Sequence, residues 1–193
     1  AAAELLLSGC TTAVDHHYVF SDELTNATEI QVEAINSLGL RSIFCRGSMS
    51  LGQSQGGLPP DRVTQSEADI LVHSQKMLEA HHDPSPGAMI QIALAPCSPF
   101  SVSKTLMLET AALAAAYGAG LHTHLAETLD ENAFCQDLYE QRPLDYLEEL
   151  GWLGPKTWLA HGIHFNATEM QRLGASGTSI THCPSSNMIL GSG

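Results

Sequence analysis

Basic residues are scarce in this chain. Eight Lys and Arg stand against 21 Asp and Glu in 193 residues, a formal net charge of −13. A surface of that sign repels phosphodiester backbones and anionic bilayers, so no nucleic-acid and no membrane partner is expected. A neutral or cationic small molecule suits it better. Long apolar runs are also missing: nothing approaches the roughly 18–20 consecutive apolar residues that span a bilayer. Leu6-Leu7-Ser8-Gly9-Cys10 resembles a lipoprotein cleavage site only superficially, since Glu4 interrupts the short apolar run and no basic segment precedes it. Paired cysteines are lacking as well. Cys10, Cys45, Cys97, Cys135 and Cys183 are odd in number, widely spaced and without a CxxC pair. They read as reduced thiols, which makes a cytoplasmic location the expectation. Sequons begin at Asn26 and Asn166, and each reads as a helix N-cap rather than a mark of secretion.

What is present is a regular alternation. Apolar residues make up 44% of the chain, enough for a sizeable core. Thr11 to Asp15 is a β-prone run, and Asn26-Ala27-Thr28-Glu29 then opens a helix in capping-box style, closed at Gly39. A strand from Arg41 to Cys45 is followed by a glycine-rich loop over 47–60 and a helix opening at Ser66. Met89 to Leu94 is a buried strand, succeeded by an Ala/Leu-rich helix from Ser103 to Tyr117. Leu121 to Leu125, Thr157 to His161 and Thr178 to His182 are three more strands. Between them, helix runs from Asp130 to Leu150 with a break at Pro143, and a short helix is capped at Asn166. Six strands separated by helices imply crossover connections and parallel pairing.

An open doubly wound sheet and a closed (β/α)8 barrel share this alternation. Asp15-His16-His17, Arg46, Cys97, His124, His161 and His182 all fall at carboxyl ends of strands. Polar groups on every strand end suit a TIM-type barrel mouth better than one crevice of an open sheet. A barrel usually needs about 250 residues. Residues 1–193 are therefore expected to be the central part of one, covering roughly strands 2–7, with the first and last strands outside.

His122-Thr123-His124-Leu125-Ala126-Glu127 is the most chemically loaded stretch. Neutral imidazole is the commonest metal ligand, and a nearby Glu commonly carries the proton of a metal-bound water. The stretch points to metal-assisted hydrolysis, although a lone strand-end histidine often serves a local hydrogen bond instead. His122 is expected to turn the opposite way, into packing. His161 ends the next strand and would lie beside His124 in a barrel. His164 reads as a surface or supporting residue, and at most one of His16 and His17 can reach a pocket. His182, ahead of the turn-rich Cys183-Pro184-Ser185-Ser186-Asn187, either lines the pocket or caps a turn. Gly52-Gln53-Ser54-Gln55-Gly56 matches a serine-hydrolase elbow, but Gly57-Leu58-Pro59-Pro60 follows where a helix must start. Pro96-Cys97 is half of a cytidine-deaminase zinc signature without its second cysteine.

Three ordered motifs, His122 to Thr128, Leu159-Ala160-His161-Gly162 and His182 to Asn187, resemble the amidohydrolase superfamily. They look like its branch of aminohydrolases acting on purines, triazines and related heterocycles. Cys45-Arg46-Gly47-Ser48-Met49-Ser50, Gln55 to Pro60 and Ala95 to Phe100 look most like the 8-oxoguanine deaminases, with the hydroxyatrazine ethylaminohydrolases second. The resemblance implies one divalent metal, zinc first and iron second, held by His124. It also implies that Glu127 moves a proton to a ring nitrogen and that His161 stands beside the metal-bound water. Arg46, Cys97 and Gln55 fall where relatives hold a small heterocyclic substrate. The S-adenosylhomocysteine deaminases have histidine where Cys97 stands, which argues against that substrate.

The superfamily's first-strand His-x-His would precede Ala1 and its eighth-strand aspartate would follow Gly193, so the segment alone is expected to be inactive. The reaction expected of the whole is deamination of 8-oxoguanine to urate and ammonia. An s-triazine aminohydrolase is the alternative, and a non-catalytic barrel remnant that binds ligands is a further one. A homodimer is the commonest assembly such a chain could form.

Overall fold

The computed structural model describes residues 1–21, 24–57 and 59–192. Leu58 of the Gln55–Pro60 motif lies outside them. The chain divides into two compact units, 1–120 and 121–193. Strands and helices alternate in both, and every described strand pairing is parallel. No helix among the described residues is long and apolar enough to cross a membrane.

The first unit holds helix α1 (Ala2–Leu7), strand β1 (Thr12–His17), α2 (Ala27–Leu38), β2 (Arg41–Ser48), α3 (Glu67–His81), β3 (Ile90–Pro96) and α4 (Lys104–Tyr117). β2 lies between β1 and β3 and is almost wholly buried from Phe44 onward. That is the mark of a parallel strand covered on both faces. Phe44, Ile92, Leu94, Met77, Leu78, Leu106 and Met107 form the core. Helix starts follow side-chain capping: Ser66 Oγ accepts from Asp69 N at 3.1 Å, and Ser103 Oγ from Leu106 N at 3.0 Å. β1 runs on through His16 and His17 and β2 through Ser48, so both strands outlast the apolar runs that announce them.

Asn26 corrects one expectation. It occupies the N-cap position of α2, yet its side chain makes no cap bond. Glu29, the partner a capping box would need, reaches instead to His73 at 3.2 Å and Lys76 at 3.6 Å. Helix α1 was not legible in the sequence at all.

The second unit holds β4 (Gly120–Leu125), α5 (Leu129–Tyr139), α6 (Pro143–Glu149), β5 (Thr157–His161), α7 (Ala167–Ser176), β6 (Ser179–Thr181) and α8 (Pro184–Leu190). Trp152, Leu147, Leu159, Leu125 and Leu144 are fully buried here. Pro143 breaks the α5–α6 sequence by taking a first-turn position, where its missing N–H costs nothing. At α7 the capping box is real: Glu169 N donates to Asn166 Oδ1 and Asn166 N to Glu169 Oε2. The buried Glu169 carboxylate also receives Arg142, at 2.6 and 2.9 Å. The 184–190 segment is a helix rather than the expected turn, because Pro184 starts it.

Candidate active site

The site is built where β4 and β5 end. Their register sets Leu125 opposite His161 and His124 opposite Ala160. Beyond the strands the backbone stays clamped: Gly162 N donates to Leu125 O at 3.0 Å, while Ile163 and His164 N both donate to Ala126 O, at 2.9 and 3.0 Å. Two non-glycine residues are left-handed here, Ala126 with φ 55 and His161 with φ 74. Such backbone persists only where its surroundings over-determine it, and it gathers at functional sites.

These bends bring three side chains together. Glu127 Oε2 lies 3.5 Å from His161 Nε2. The His124 and His161 rings stand 5.3 Å apart between centroids, tilted by 32°. His161 is 5% exposed, and its Nδ1 donates to Asn187 Oδ1 at 2.8 Å. Its other ring nitrogen, Nε2, faces Glu127. His122 is packed, as expected, with its ring stacked on Trp158 and Nδ1 2.8 Å from Trp158 O. It does not turn to the opposite side, however. Residues two apart on a strand share a face, and its ring centroid is 6.1 Å from that of His124. Burial pushes its pKa down to about 4, and the charges of His124 and His161 push the same way.

Two residues of this site have roles the sequence does not show. Asn187 closes the His182–Asn187 motif, with no role readable from it. Glu131 is the other: from the first turn of α5 its Oε2 accepts from Glu127 N at 3.1 Å. Each completes a motif by a contact that spacing does not show. The exposed His182 borders a cavity of about 230 Å³ with Ile163, Asn187 and Ser192.

In the first unit, Cys97 directly follows β3, whereas Arg46 lies inside β2 opposite Leu94 rather than at the strand end the sequence suggests; Cys97 N donates to Ser48 O at 2.9 Å. Cys97 is half-buried and Gln55 is exposed on a single 3₁₀ turn, Gln53–Gln55. Arg46 is 1% exposed. Its Nε donates to His73 Nδ1 at 3.0 Å, Nη2 to Gln65 Oε1 at 2.9 Å and Nη1 to Gly47 O, while its guanidinium covers the Phe20 ring at 4.3 Å. Burial pulls its pKa down to about 9, against the pull of Glu29. His73 is lowered by burial and by Arg46. Glu29 ends lowered, because its own amide and His73 outweigh the burial that raises it. Among the described residues, partners take three of the five N–H donors of Arg46.

Two imidazoles and a carboxylate match a zinc or iron ion in kind. They do not match in number: among the described residues no group of three or more His, Cys, Asp or Glu is arranged to hold a metal.

Known proteins resemble this chain along its whole length. It is 56% identical over 193 residues to the 8-oxoguanine deaminase of Pseudomonas aeruginosa, covering 43% of that protein. It is 38% identical over 190 residues to the hydroxydechloroatrazine ethylaminohydrolase of Pseudomonas sp. strain ADP, covering 39% of it. The crystal structure of atrazine chlorohydrolase from Arthrobacter aurescens TC1 complexed with zinc superimposes with a TM-score of 0.90 at 32% identity, over 98% of this chain and 42% of that one. The chain thus spans less than half the length of these relatives. Its strands and helices are those of a TIM-type α/β barrel, of which it makes up a part. The amidohydrolase family model matches residues 1–193, and the chain belongs to that family.

Proposed function

We propose that this chain is part of a hydrolase that removes an amino group from a nitrogen heterocycle. The substrate proposed is 8-oxoguanine, which with one water gives urate and ammonia. The observation that carries the reading is the meeting of Glu127 with His161, Oε2 to Nε2 at 3.5 Å, beside the His124 ring. The 56% identity to an 8-oxoguanine deaminase supports the choice of substrate.

His124 would hold a divalent metal as one of its ligands. Zinc is favoured by the zinc-bound relative, and iron is second. Such a metal, when bound, supplies a water acidic enough to attack near neutral pH. His161 holds the attacking oxygen: with Nδ1–H given to Asn187, Nε2 accepts from it and keeps it against the amino-bearing ring carbon. Glu127 gives a proton to the adjacent ring nitrogen, so negative charge does not build up on the ring. Of the two protons of the attacking water, one replaces the proton Glu127 gives and the other converts the amino group into ammonia as the C–N bond breaks. Arg46, Cys97 and Gln55 form the proposed substrate-holding set. Arg46 can offer the heterocycle at most the N–H groups that His73, Gly47 and Gln65 leave it.

Ammonia release from 8-oxoguanine, measured in the intact protein against ethylamine release from hydroxyatrazine, tests the assignment. Faster release of ethylamine would favour the triazine reading, which rests on the 38% identity to hydroxydechloroatrazine ethylaminohydrolase. Glu127→Gln should lower turnover by about 10²–10⁴-fold with metal content unchanged. Full activity in that variant would refute the role given to Glu127.

A further inference from the structure

Glu131 takes no part in the chemistry above, yet its carboxylate is turned inward among the site's backbone. It occupies the third position of α5, where a Glu ordinarily reaches back to the amide of the N-cap residue, here Thr128. Glu131 reaches past it. Oε2 accepts from Glu127 N at 3.1 Å, and the carboxylate also takes the amide of Ala126. Two successive N–H groups converging on one anion form a nest, and the anion is supplied by the same chain.

The nest sits on a bend that needs holding. Ala126 is left-handed, with φ 55, a conformation disfavoured for any residue with a Cβ. Its carbonyl side is held by the amides of Ile163 and His164. Its amide side is held by Glu131. Released there, Ala126 would relax toward ordinary backbone, and the Glu127 side chain, which leaves the chain one residue later, would swing away from His161. The charge itself is placed at a disadvantage. Burial pushes the Glu131 pKa up to about 7 and the Glu127 charge adds to this, while the two amide bonds pull the other way. A carboxylate kept in so unfavourable a place needs a reason beyond capping the helix.

We propose that Glu131 is a positioning residue for Glu127: its carboxylate fixes the left-handed bend at Ala126 and, through it, the place of the Glu127 carboxyl against His161. The proposal rests on the proton-carrying role given to Glu127. Glu131→Ala and Glu131→Gln in the intact protein test it by two readouts. In Glu131→Ala, NMR should show amide-exchange protection at Ala126 and Glu127 falling by about tenfold or more, with Leu159 and Ala160 in β5 unchanged. Turnover of 8-oxoguanine should fall about 10- to 100-fold in kcat with KM nearly constant, the signature of a displaced catalytic group. Glu131→Gln keeps one acceptor oxygen and should fall between wild type and Glu131→Ala in both readouts. Unchanged protection, or a loss confined to KM, overturns the proposal. Should Glu131→Ala not fold, Glu131→Gln decides alone: wild-type protection and wild-type kcat together overturn the proposal. Full activity in Glu127→Gln would instead remove the reading beneath it, and the exchange data would still show whether the bend is clamped.

Discussion

Asn187 on α8 accepts the Nδ1–H of His161 at the end of β5, 2.8 Å away. Both residues are buried, at 7% and 5% exposure, and Asn187 Nδ2 has no hydrogen-bond partner among the described residues. Its Oδ1 is the acceptor that the ring N–H uses. Removing it orphans a buried imidazole N–H, which costs about 1–3 kcal/mol. Asn187→Leu is expected to lose that much stability in urea unfolding, and Asn187→Asp, which keeps the acceptor, less. Equal stabilities for Leu and Asp variants would show that the bond does not hold the ring.

Gly162 follows His161 with φ 64, and a Cβ there would stand 2.9 Å from Ile180 Cγ2 and 3.2 Å from Phe165 Cε2. Two separate penalties oppose any side chain: left-handed backbone, about 1–2 kcal/mol, and displacement of Ile180. Gly162→Ala should lose stability through both. Ile180→Ala removes the methyl in the way, so Gly162→Ala should cost less in that background, leaving mainly the backbone part. A double-mutant cycle separates the two. Additive costs would mean that Ile180 gives way freely and that the backbone alone demands glycine.

Much of this architecture could be read from the letters, for reasons that differ by element. Thr157–His161 is a strand of β-prone residues ending in a polar one, and α4 is announced by Ser103 ahead of an Ala/Leu-rich run. Local chemistry decides both. Asn26 and Asn166 head the same letters, Asn-Ala-Thr-Glu, yet only the second forms a capping box. The difference is tertiary: Glu29 is drawn to His73 and Lys76, whereas Glu169 stays local and is held by Arg142. Pro184-Ser185-Ser186-Asn187 is turn-rich and suggests a turn, but proline at a first helical position is equally a start signal, and α8 begins there. Strand-end position and spacing made His124, Glu127 and His161 visible. The roles of Glu131 and Asn187 are not legible there, since one binds backbone amides and the other a ring 26 residues away.

Glu131 also sets a pH dependence whose sign follows from its environment. Burial lets the folded protein hold this proton up to about pH 7, whereas the unfolded chain releases it near 4.5. Between those values the folded state binds more protons than the unfolded one, so the contribution to stability falls as pH rises. The penalty is absent below about 4.5 and complete above about 7. Glu131→Gln cannot titrate, so its stability relative to wild type should climb across that window in urea unfolding at pH 4.5, 5.5, 6.5 and 7.5. A difference that stays flat would mean the carboxylate is not held in a disfavoured place. With the expected climb, the variant gains stability near neutral pH while losing turnover. That opposition marks a group kept for function rather than for folding.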